Sequence, residues 1–164
     1  MKRLLPFLGL AVFGLTNASA QSTSAPLSKL IGVWNCSTSF EDEASVTRLV
    51  HETEFTASGM QSVTGTVMWF VNGSRVRATF EFMNEVRLED DTLVVDIVSS
   101  SVGDPSYLGH PSNNSSAITQ FENSVAANID RDSQSVFDIV ELNNDRFVTL
   151  RQDDGAFNVC VRKG

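Results

Sequence analysis

Residues 75–82 read Arg-Val-Arg-Ala-Thr-Phe-Glu-Phe, an unbroken alternation of polar and apolar side chains. A period of two puts Val76, Ala78, Phe80 and Phe82 on one face and Arg75, Arg77, Thr79 and Glu81 on the other. That is the pattern of a strand with one buried and one solvated face, as in antiparallel sheets. The same rhythm recurs along the chain. Residues 29–40 set Ile31 and Val33 against Trp34, Cys36 and Phe40. A second run covers 46–56, and Ala57-Ser58-Gly59 breaks it. A third covers 60–71, with Val63, Val67, Trp69 and Val71 on one side. Asn72-Gly73 then supplies a strong two-residue hairpin signal before the alternating strand. Residues 92–99 form a fifth strand around Leu93, Val95 and Ile97.

The rhythm changes after Ser99. Residues 99–116 are dense in Ser, Gly, Pro and Asn and read as a long loop. Ile118, Phe121, Val125 and Ile129 then recur at helical spacing, which predicts one helix over 116–129 with Ser115 or Ser116 as its cap. Strands resume at 136–142, 146–152 and 156–162, separated by Asn143-Asn144-Asp145 and Asp153-Asp154-Gly155. The expected fold class is mainly β, with eight antiparallel strands in an up-and-down order and one α-helix inserted between strands five and six. Eight strands is the number at which such a meander closes into a barrel, which removes exposed edges. An open sandwich is the competing arrangement.

The N-terminus reads as an address. Lys2 and Arg3 precede an apolar run, Leu4 to Leu15, and Ala18-Ser19-Ala20 has the small residues of a cleavage site. The run is well short of the roughly 20 residues that span a bilayer. Residues 1–20 are therefore predicted as a signal peptide, 21–28 as a flexible lead-in and 29–164 as the barrel domain. Cleavage after Ala20 takes the formal charge from −8 to −10, by removing Lys2 and Arg3. That acidity argues against nucleic acid or an anionic membrane as partner. The expected location is periplasmic or secreted, with no membrane insertion after processing. In an oxidising compartment the only cysteines, Cys36 and Cys160, are most simply one disulfide, the alternative being two free thiols.

Chemistry-bearing motifs are sparse. The acidic groups Glu41-Asp42-Glu43, Glu89-Asp90-Asp91 and Asp153-Asp154 fall at predicted turns, where carboxylates are ordinarily solvated. His51 lies on the second strand and His110 in the long loop, neither near a catalytic partner in sequence. No nucleophile elbow, phosphate-binding loop or dinucleotide fingerprint occurs. No catalytic residue, cofactor or metal site is assigned. Asn35, Asn72, Asn113 and Asn114 stand in N-x-[ST] patterns, which matter only in a eukaryotic secretory pathway. Trp69, Phe80 and Phe82, at mid-strand, and Tyr107, in the long loop, are candidates to line a ligand cavity or its mouth. The alternative for the mid-strand aromatics is that they fill a small barrel's core.

Gly32-Val33-Trp34, entering the first strand of an eight-stranded meander, resembles the Gly-x-Trp signature of the lipocalins and the wider calycin group. Leu30 to Cys36 together with Cys160-Val161-Arg162 resembles exported bacterial lipocalin-like proteins. The resemblance implies a barrel in which Gly32, Trp34 and Arg162 form the closing motif, with the arginine packed over the tryptophan. In a closed meander the first and last strands are neighbours, so a Cys36–Cys160 pairing brings Arg162 towards Trp34. The helix between strands five and six departs from the family's usual arrangement. The function this implies is non-catalytic binding of a small apolar or amphipathic ligand. The alternative is a protein-interaction module, such as a periplasmic inhibitor of a wall-acting or proteolytic enzyme.

Overall fold

The structure is a computed structural model and describes residues 27–41, 45–71, 74–108, 116, 118–123 and 134–164. The expected signal peptide, most of the lead-in, the Asp42-Glu43 and Asn72-Gly73 turns, His110 and the later helical residues Val125 and Ile129 lie outside them. A one-turn 3₁₀ segment, Leu27–Lys29, leads into β1 (Gly32–Glu41). Then come β2 (Ser45–Phe55), β3 (Met60–Val71), β4 (Ser74–Glu89), β5 (Thr92–Val102) and the two-residue β6 (Ser106–Tyr107). Residues 118–123 are helical, and β7 (Gln134–Leu142), β8 (Arg146–Arg151) and β9 (Phe157–Arg162) complete the chain.

Every pairing is antiparallel. The sheet runs β3-β2-β1-β9-β8-β7-β5-β4, and β3 also pairs with β4. That last contact closes the ring, so eight strands form a barrel and the short β6 lies alongside the free half of β4. Closure leaves less edge to recruit a foreign strand; among the described residues, β5 beyond Asp96 pairs with β4 alone. The alternation that predicted β4 is realised in its burial: buried and exposed residues alternate from Ser74 through Glu81. Directly opposed residues share a face. Trp34↔Thr53, Cys36↔His51 and Gly65↔Phe80 are therefore lumen-facing rungs.

Two corrections concern the segment after β5. The strand continues to Val102, and β6 pairs Tyr107 with Val76, so residues 99–102 and 106–107 of the expected 99–116 loop are sheet. A bulge is the cause. Ser99 opposes Met83 while Ile97 opposes Asn84, which leaves Val98 unpaired and 56% exposed. The extra residue switches the inward parity, from Leu93, Val95 and Ile97 to Val102, and a strict period of two misses the strand residues beyond the bulge. β7 has a similar bulge at Val140, between the rungs Ile139↔Thr149 and Glu141↔Val148.

The core divides into two clusters. One sits at the end where β1 begins, and contains Leu30, Trp34, Phe55, Val86, Leu93 and Phe147. The other sits at the opposite end, where Phe121 of the helix packs on Val76, Ala78 and Trp69. Phe121 is 3% exposed, which identifies the helix as a lid on that mouth of the barrel. Gly65 allows β2 and β3 to approach: a Cβ there would lie 2.5 Å from the His51 Cβ and from the Val50 carbonyl oxygen.

Candidate functional site

The closed end is built around Trp34, which is fully buried. Its Nε1 donates to the Leu30 carbonyl at 2.7 Å, and its ring lies 5.9 Å from that of Phe147. The register Trp34↔Arg162 puts the arginine on the same rung. Its guanidinium stands 4.1 Å from the tryptophan ring centroid. Arg162 Nη1 donates to Ile31 O and Nη2 to Lys29 O, each at 2.8 Å, while Nε donates to Asn144 O at 2.5 Å. One side chain thereby ties the 3₁₀ entry to the β7–β8 turn. Gly32 has φ +122°, and a Cβ there would sit 2.8 Å from Arg162 Nη1. The glycine thus serves both the backbone turn and the arginine's path. Replacing Arg162 with Ala removes a stacked cation and its carbonyl contacts, with an expected stability loss of about 2 kcal/mol. A thermal unfolding midpoint equal to wild type would count against this closing role. The Cys36–Cys160 disulfide is present, two residues along both strands from that rung.

Between the two apolar clusters the lumen wall turns polar. Following the inward parity along β2 from its start gives Ser45, Thr47, Leu49, His51, Thr53 and Phe55. On β3 and β4, Gln61 faces Asn84, and Asn84 Nδ2 donates to Gln61 Oε1 at 2.8 Å. Across the barrel, Thr38 Oγ1 donates to Asn158 Oδ1 at 2.9 Å, and Thr149 is 1% exposed. Three atoms of this layer make no hydrogen bond among the described residues: His51 Nδ1, Thr53 Oγ1 and Asn84 Oδ1. Buried polar groups are ordinarily paired, so three in one stretch of wall is unusual. Burial pushes the His51 pKa down from 6.5 to about 4, so the imidazole is neutral at neutral pH.

The predicted aromatic lining divides between the layers. Phe80 is buried and Phe82 half-buried, with ring centroids 5.5 Å apart and Phe80 6.1 Å from His51. Trp69 belongs to the lid cluster, 6.1 Å from Phe121. Tyr107 joins the same cluster, and its hydroxyl donates to Ser74 Oγ at 3.3 Å. The structure thus brings Trp69 and Tyr107 together beneath the helix, and Phe80 with Phe82 deeper in. Several inward apolar side chains, Leu49, Val67 and Phe82 among them, are only half-buried although each strand here is paired on both sides. Sequence reasoning singled out the aromatics and passed over Thr53, Gln61 and Asn84. Their signal was parity: each falls on the same face as the apolar residues of its strand.

The charged groups lie elsewhere. On β2, β3 and β4 the carboxylates and guanidinia, from Arg48 to Arg87, occupy outward positions. Arg151 is held at the lid end by Asp153 and Asp154, and its hydrogen bond keeps the Asp154 carboxyl below the usual carboxylate range. Among the described residues, no three His, Cys, Asp or Glu side chains converge as metal ligands. No protein-family model matches the chain, and no curated protein matches its sequence.

Proposed function

We propose that the protein is an exported, non-catalytic lipocalin-like barrel that holds a small amphipathic molecule in its lumen. The observation that carries this reading is the half-buried state of inward apolar side chains within a closed sheet. A barrel filled by its own side chains buries them, as happens at the Trp34 end. A ligand's apolar part would cover the surface that Leu49, Val67 and Phe82 leave exposed. The polar layer adds the few oriented hydrogen-bonding groups typical of a binding site. Kinship with lipocalins is supported by the meander order and by the Gly32, Trp34 and Arg162 arrangement. Export is supported by the basic and apolar N-terminus with its Ala18-Ser19-Ala20 site and by a disulfide, which persists in oxidising compartments.

A protein-interaction role has one observation in its favour. The outer face of β2–β4 carries Arg48 and Arg75, each within 6 Å of the Phe70 ring centroid (5.8 and 5.5 Å). Native mass spectrometry of protein taken from its own host distinguishes the two. A retained small molecule is expected. A bare chain, or a co-purified protein in place of a small molecule, would overturn the carrier reading.

A further inference from the structure

The polar layer has a composition that specifies more than amphipathic character. Thr53 is 2% exposed and Asn84 5%, so both are nine-tenths buried, and both face the lumen. Asn84 spends its Nδ2 on Gln61 Oε1, so the atom left over, Oδ1, is an acceptor. Thr53 Oγ1 accepts or donates. Gln61, on the strand between them, holds the asparagine amide in place. No Asp, Glu, Lys or Arg occupies an inward position on β2, β3 or β4 among the described residues. The two arginines on inward positions of other strands are already engaged, Arg162 by backbone carbonyls and Arg151 by Asp153 and Asp154. An ionised head group would therefore lose its hydration and meet no counter-charge.

The two apolar clusters set the direction. Beyond Asn84 towards the 3₁₀ entry, the wall is shut by Trp34, Val86 and Phe147. Towards the helix it offers Val67, Trp69 and Val102, each half-buried.

We propose that the lumen selects an uncharged amphiphile bearing an O–H or N–H donor, an alcohol or primary amide, seated head-first against Thr53 and Asn84 with its tail towards Trp69 and Phe121. This rests on the carrier reading and refines it. The neutral imidazole of His51, two residues along β2, is compatible with such a head group.

The test uses the purified protein as exported by its host, at pH 7.5, titrated calorimetrically with 1-octanol, octanamide, octanoate and methyl octyl ether. The alcohol and amide are expected to bind. Octanoate, being ionised, and the ether, lacking a donor, should each bind at least about tenfold more weakly, the worth of one hydrogen bond. Thr53→Val should weaken octanol about tenfold, and Thr53→Ser should retain it. Octanoate or the ether binding as tightly as octanol would overturn the head-group inference and leave the carrier reading standing. So would octanol binding that ignores a folded Thr53→Val. Failure of every probe would overturn the carrier reading and the inference with it. The wild-type ligand series decides the matter even where a variant does not fold.

Discussion

Opening the Cys36–Cys160 bond should lower the unfolding free energy by about 4–5 kcal/mol, as read by urea denaturation of a Cys36→Ala/Cys160→Ala protein. The two cysteines are 124 residues apart in sequence, so the bond removes a large loop's worth of freedom from the unfolded chain. The folded state changes little, because β1 and β9 stay paired along Trp34↔Arg162 to Ser39↔Phe157 without it. The variant should therefore keep its β-sheet circular dichroism while its thermal midpoint falls by about 10–20 °C. An unchanged midpoint would show that the denatured chain already holds these strands together. Surface ion pairs such as Lys163–Glu52 and Arg146–Glu141 contribute far less, since both partners remain substantially solvated.

Acidification should cost about 3 kcal/mol through His51 alone. Burial lowers its pKa from 6.5 to about 4 in the folded protein, whereas the unfolded chain regains the ordinary value. The unfolded state thus takes up its proton first as pH falls. Stability from this source is complete above about pH 6.5, declines between about 6.5 and 4, and is lost below, where both states are protonated. The imidazole lies opposite Cys36 and Gly65 and beside Phe80, so no facing carboxylate offsets the desolvation of the cation. A His51→Gln protein should show the difference from wild type shift by that amount between pH 7 and pH 4. A difference that stays flat across this range would remove His51 from the account.

The barrel was legible because its signals are local and repeated. Alternation at Val76–Phe82 marks a half-buried strand without reference to anything distant, and charged turns such as Glu89-Asp90-Asp91 punctuate the meander. Phe121 announced itself by helical spacing, and its near-complete burial under the lid shows why it is apolar. The β1–β9 neighbourhood was readable because two separate residue pairs, Cys36 with Cys160 and Trp34 with Arg162, agree on one register.

Less legible were features that depend on strand partners. The bulge at Val98 arises from pairing with Met83 and Asn84, and nothing in the Ser-rich run itself distinguishes a bulged strand from a loop. β6 is too short to carry a period. The polar layer was hidden for a different reason. Thr53, Gln61 and Asn84 look like ordinary surface residues by type, and only their parity with Phe55, Val63 and Phe82 along each strand marks them as inward. Polar residues at inward parity are where local propensity and global fold disagree, and such conflicts concentrate at functional positions.

The strap between the first and last strands also alters what a protease can do to this molecule. The backbone from Cys36 to Cys160 and the sulfur bridge together form one covalent ring. A single cut at any turn within that ring, between β2 and β3 or in the segment joining β6 to β7, opens the ring and releases no fragment. The nicked chain keeps its strands tethered at β1 and β9, where the register is also hydrogen-bonded. Two cuts are required before any strand can depart.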